Sequence, residues 1–179
     1  ALGAYERTYS IDVGASIVRE RAGEALLSTS DCQYLLPLQS CSSTVTVSNL
    51  GNAIDYYSLE LLSAPDFINI NVPTTGIEIT NGFEDSFPEI IITAKNDSTA
   101  FDNDNVSIAV NFLNGEQIKV LNIPVKIAPL INWSFEDIVE EIDSKGRLSI
   151  AMTLRNQGNA LDGLIVQLQS SHSTEMAFI

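Results

Sequence analysis

Residues 44–63 read TVTVSNLGNAIDYYSLELLS, and residues 151–170 read AMTLRNQGNALDGLIVQLQS. Asn49, Gly51, Asn52, Ala53 and Asp55 return as Asn156, Gly158, Asn159, Ala160 and Asp162, at a constant offset of 107 (49 to 156). Apolar side chains alternate with polar ones up to each motif, the period of a strand with one buried face. The Asn-x-Gly-Asn core then demands a sharp turn. Glycine tolerates positive φ, and an Asn side chain bonds the backbone two residues on. A ligand or metal role for these Asn and Asp groups is the alternative to this turn reading. A strand–turn–strand unit repeating after about 100 residues has the spacing of tandem β-sandwich domains.

The surrounding chain supports that architecture. Tyr9, Ile11, Val13, Ala15 and Ile17 alternate upstream, and residues 21–42 read as a cysteine-containing loop. Downstream, Ile90, Ile92 and Ala94 form one short alternating run, and Val106, Ile108, Val110 and Phe112 form another. Asn114-Gly115 then marks a hairpin. Turn signals recur every 8–12 residues or so, giving about seven to nine strands and no long helical period. The fold class expected is all-β: tandem immunoglobulin-like antiparallel β-sandwiches, the second incomplete. The first module is placed at 9–128, with a cysteine-loop insertion, and the first part of a second at 129–179. FEDIVEEI (135–142) fits either a strand or a short helix with Phe135, Ile138, Val139 and Ile142 on one face; the repeat favours the strand. Aligning INWSFEDIVEEI with YSIDVGASIVRE gives an offset of 122 (9 to 131), which implies 15 extra residues in the first module near the cysteines.

The alternating run, the Asn-x-Gly-Asn-Ala turn and the following SLELLSAPDF (58–67) resemble the immunoglobulin-like module that accompanies some bacterial α-galactosidases. They are similar also to the CARDB-type, cell-adhesion-related modules of archaeal and bacterial surface proteins. The resemblance is strongest over 44–70, extends loosely to 127 and returns over 151–170. It implies extracellular β-sandwiches in tandem, with no catalytic residues to carry over. The cysteine loop lies outside the usual pattern.

Composition narrows the function. Nine Lys and Arg against 23 Asp and Glu give a formal charge of −14. Such a chain is a poor ligand for nucleic acid or anionic membranes, which need basic residues. No apolar run has the length of a membrane span, and the start at Ala1 suits a processed chain or an excerpt from a longer one. Cys32 and Cys41 are the only cysteines; a disulfide in an exposed loop is expected, with two buried thiols as the alternative. A disulfide would suit a place outside the cell or at its surface, as the resemblance implies. The sequons at Asn96, Asn105 and Asn132 permit that placement.

Candidate sites are few. The only histidine, His172, sits in a polar tail with no nucleophile motif beside it, so no enzyme is expected. Asp97, Asp102 and Asp104 supply hard oxygen donors within one loop, which points to calcium, against the reading of a solvated loop. Tyr56 and Tyr57 are candidate sugar-stacking rings, while strand alternation places Trp133 in a core with Phe135. Leu148, Ile150, Met152, Leu154, Leu164, Val166 and Leu168 are expected to line one open face of the second module and pair this fragment into a homodimer, the alternatives being folding back onto the first module or disorder. The reading is a non-enzymatic structural or adhesion module whose partners are neighbouring sandwiches or another copy. The alternative is a carbohydrate-binding accessory module of a glycoside-processing enzyme.

Overall fold

The computed structural model describes residues 16–165. His172, Val166, Leu168 and most of the Tyr9–Ile17 run lie outside the described residues. Eleven strands are present: β1 (Gly23–Thr29), β2 (Ser40–Asn49), β3 (Asp55–Ser63), β4 (Ile68–Asn71), β5 (Ile77–Ile79), β6 (Glu84–Ser86), β7 (Ile90–Ala94), β8 (Asn103–Phe112), β9 (Gln117–Lys126), β10 (Trp133–Ile142) and β11 (Leu148–Asn156). The first nine form two antiparallel sheets. One has the order β1-β2-β7-β4, with β6 also pairing β2, and the other the order β5-β3-β8-β9. They make an all-β, immunoglobulin-like sandwich.

Alternation fixes which side chains meet between the sheets. Val45 and Val47 of β2, Ile90 and Ile92 of β7, Val106, Ile108 and Val110 of β8, and Ile123 and Val125 of β9 are wholly buried. Each such side chain contributes roughly 1.5–3 kcal/mol by leaving water. Cys32 and Cys41 form a disulfide. The bridge belongs to this core and not to an exposed loop: Cys41 is an inward residue of β2, and both cysteines are buried.

β10 and β11 form a separate two-stranded hairpin. Asp143 accepts the amides of Lys145 and Arg147 through Oδ1, at 2.8 and 2.9 Å, and Gly146 takes a φ of 78° to close the turn. FEDIVEEI is thus a strand, interrupted between Glu136 and Val139 by a register shift that leaves two residues of β10 opposite one of β11. Asp137 sits there with φ 52°. The extra residue flips the alternation, so Ile138 and Ile142 share the face of Phe135 and Leu154. Leu148, Ile150, Met152, Leu154 and Leu164 are exposed on this unit.

Two expectations about register fail. β1 runs through the segment read as loop and pairs β2 from Gly23↔Asn49 to Thr29↔Ser43. Its equivalent is β10, paired from Trp133↔Asn156 onward. The strand starts therefore differ by 110 (23 to 133) where the turns differ by 107. The first module carries three extra residues over this stretch, not 15.

Candidate functional site

The repeated turn does one job twice. Asn49 Oδ1 accepts the Gly51 amide at 3.0 Å, and its Nδ2 donates to the Ala53 carbonyl at 2.9 Å. Asn156 makes the same pair with Gly158 and Ala160, both at 2.8 Å. The turn so built faces the segment that leads into its own module. In the first module, the Leu50 amide donates to Ala22 O at 2.9 Å and the Asn52 amide to Glu20 O at 3.2 Å. The Asn52 side chain accepts from the Glu20 amide at 2.9 Å and donates to Val18 O at 2.8 Å. In the second, Gln157 donates to Asn132 O at 2.8 Å and Asn159 to Leu130 O at 3.3 Å. The Asn159 side chain accepts from Leu130 at 2.7 Å and donates to Ala128 O at 3.1 Å. Val18, Glu20 and Ala22 thus match Ala128, Leu130 and Asn132, each 110 residues apart.

This clasp explains the glycines. Neither Gly51 nor Gly158 takes a positive φ. A Cβ at Gly51 would lie 2.6 Å from the Glu20 carbonyl oxygen, and one at Gly158 would overlap that of Leu130. Glycine is needed because the leading segment passes directly over the turn.

In the second copy the clasped segment is the connection between the modules. Its upstream end is gripped from the other side by the disulfide loop. Lys126 donates to Cys32 O at 3.1 Å, Leu35 to Lys126 O at 3.0 Å and Ala128 to Leu35 O at 2.9 Å. Ala128 is therefore held through its amide by the first module and through its carbonyl by Asn159. The Ala100 amide, in the β7–β8 loop, donates to Asn159 O at 3.0 Å and joins that loop to the second turn directly. An open cleft of about 470 Å³ lies between the same two loops, with Asn96, Asp97, Thr99, Gln157 and Leu161 among its walls. The sequence marks a module boundary at 128 and 129 but not the grip on residues 126–132, because backbone groups do most of the holding.

The two leading segments differ in charge. Arg19 and Arg21 place guanidinium nitrogens 2.8 and 3.4 Å from the buried Asp55 carboxylate. Pro129 and Ile131 occupy the matching places, and Asp162 instead accepts the Trp133 indole N–H at 3.4 Å. Beside Asp55, the Tyr57 phenol is pushed above its usual range by burial and then by the Asp55 charge.

The three aspartates read for calcium are not gathered. Asp102 Oδ2 accepts the Thr99 amide at 3.1 Å, Asp104 Oδ1 accepts the Asn105 amide at 2.7 Å, and Asp97 lies on the cleft wall. Among the described residues no three His, Cys, Asp or Glu side chains converge on a metal position. The tyrosines do not form a platform: Tyr57 is buried and its neighbour Tyr56 is exposed, so the rings lie on opposite faces of β3.

No family model matches the chain, and no curated protein matches it. Some solved structures are distantly similar to the chain. A FixG-related protein from Vibrio parahaemolyticus is 10% identical with a TM-score of 0.46, over 59% of this chain and 95% of that one. The Escherichia coli alpha-2-macroglobulin, from domain MG7 to its C-terminus, is 11% identical with a TM-score of 0.47. That match covers 70% of this chain and 21% of the macroglobulin, so the chain spans about a fifth of its length. A β-glucosidase from Listeria innocua is 14% identical with a TM-score of 0.33, over 59% of this chain and 16% of the enzyme.

Proposed function

We propose that this chain is a non-enzymatic structural segment of a secreted or cell-surface multi-domain protein, a stiff spacer in which each sandwich is fixed to the next. The observation that carries this is the doubly held connection at Ala128, gripped by the disulfide loop on one side and by Asn159 on the other. A flexible tether needs no such grip, and a Gly/Ser-rich linker would supply none. The disulfide suits an oxidising compartment outside the cytoplasm, and the acidic surface suits solubility there. Each backbone or side-chain bond of the clasp contributes about 0.5–1.5 kcal/mol net, so the set can hold one angle against thermal motion.

Backbone relaxation by NMR tests the reading. The sandwich and the β10–β11 hairpin are expected to share one rotational correlation time. Asn159→Ala removes the side-chain bonds to Leu130 and Ala128, and is expected to let the hairpin reorient separately while the sandwich stays folded. Independent tumbling in the wild-type chain overturns the proposal.

A further inference from the structure

The turn that anchors the junction has a twin at the opposite pole of the first sandwich, and exposed apolar residues are tied to that twin. Val18 is 78% exposed, Leu50 61%, Ile54 46% and Phe83 67%. All four are tied to the same turn. The Val18 carbonyl accepts from Asn52 Nδ2, the Phe83 carbonyl accepts from the Asn49 amide, and the Ile54 carbonyl accepts from Arg19. None of the four belongs to the core of the sandwich. In the second copy the carbonyl oxygen of Asn159 takes the Ala100 amide of the preceding sandwich. The equivalent oxygen is that of Asn52, and among the described residues no backbone N–H donates to it.

We propose that the pole built around Leu50–Ile54 is a docking face for another β-sandwich unit of this kind. That unit would seat its β7–β8 loop on the Asn52 carbonyl, as the first module seats Ala100 on Asn159. The inference rests on the spacer reading, and extends it by naming the partner and the atoms of contact. The exposed apolar residues are the second reason. Single exposed apolar side chains are ordinary, but four on residues tied to the turn that presents the Asn52 carbonyl give this pole apolar surface and a polar anchor for an inter-domain contact.

The structure dictates the splice for a test. Because Ala128 matches Val18, residues 16–127 are joined directly to Val18 of a second chain running to 179. The added unit holds its own closed core, which runs from Ala25 to Ile127. Amide exchange and relaxation are then measured at both junctions of this tandem. The Ala100 amide of the added unit is expected to exchange as slowly as Ala100 in the natural chain, with both sandwiches tumbling as one body. Leu50→Ser with Ile54→Ser in the second sandwich is expected to speed that exchange at least tenfold and free the added unit, with circular dichroism unchanged. If the spliced junction is loose while the natural one is tight, this inference falls and the spacer reading stands. If both are loose, the spacer reading falls with it. Should removal of residues 1–15 from the natural chain expose the Leu50 and Ile54 amides to faster exchange, the pole belongs to the chain's own leading segment and the proposal is overturned.

Discussion

Strands β2 and β11 carry matching rows of side chains in different surroundings. Cys41, Ser43, Val45, Val47 and Asn49 correspond to Leu148, Ile150, Met152, Leu154 and Asn156. In β2 none of the five is more than 7% exposed; in β11 the four apolar ones keep 37–57% of their surface. Yet the turns that follow are alike bond for bond. The turn and clasp therefore need only the motif and its leading segment, and they form with or without a core above them. Burial adds a bond across the sandwich: Asn49 Nδ2 also reaches the Ile79 carbonyl in the other sheet, at 2.8 Å.

A charge placed on each row should separate the two strands most strongly. Val47→Asp buries a carboxylate without a partner and is expected to cost at least about 4 kcal/mol, enough to unfold the sandwich. Leu154→Asp, at the matching place, is expected to change stability by less than about 0.5 kcal/mol. Its effect should appear in light scattering instead. The wild-type chain is expected to pair through the apolar face of β10–β11, and the variant to run as a single chain. Equal destabilisation by the two substitutions would mean that the second row already sits in a core.

Reducing the Cys32–Cys41 bridge should cost the first module roughly 2–3 kcal/mol, the chain-entropy value for closing a loop of about ten residues. Because Cys32 O holds the Lys126 amide, reduction should also speed exchange at Lys126 and Ala128. Urea denaturation with and without reductant reads the first effect. Unchanged exchange at those amides would show that the loop does not grip the connection.

Asn49→Ala leaves the Gly51 amide and the Ala53 and Ile79 carbonyls short of a partner at a buried site. About 2 kcal/mol is expected. Asn156→Ala strips the same local bonds at an exposed site where water replaces them, and about 0.5 kcal/mol is expected there. Comparable losses, measured by denaturation and by hairpin amide exchange respectively, would make the motif's contribution local in both copies.

The sandwich was legible wherever β-branched residues alternate, as in β7, β8 and β9. β1 was not, because Ala25, Leu26 and Leu27 are good helix formers that carry no strand signature. The helix-like spacing of Phe135, Ile138 and Ile142 has a physical source: the bulge at Asp137 adds one residue to a two-residue period and imitates a turn of helix. The motif announced a turn, but not that its glycines make room for a passing carbonyl. That depends on residues 20 and 130, some 30 positions away, held mostly by their backbones. The 122-residue alignment misleads for the same reason. Side-chain likeness between residues 9–20 and 131–142 outweighed a clasp that leaves little mark on side chains. The aspartates at 97, 102 and 104 looked like one cluster because they are near in sequence, yet Asp102 and Asp104 turn back onto their own backbone.

The smallest expected effect is a gain. Ser43 faces the core of the first sandwich at 1% exposure, and its hydroxyl has no hydrogen-bond partner. An unpaired buried hydroxyl costs free energy that an apolar atom does not. The matching residue, Ile150, shows that this position of the row needs no polar group. Ser43→Ala deletes one oxygen and leaves only a small void, so it is expected to stabilise the sandwich by about 1 kcal/mol and raise its melting temperature by about 4 °C. Ile150→Ser, the reverse exchange on the exposed row, is expected to leave the melting of the sandwich unchanged. A loss of stability in Ser43→Ala, read by calorimetry, would show that the hydroxyl does find a partner, and that this position of the two rows differs by design and not only by burial.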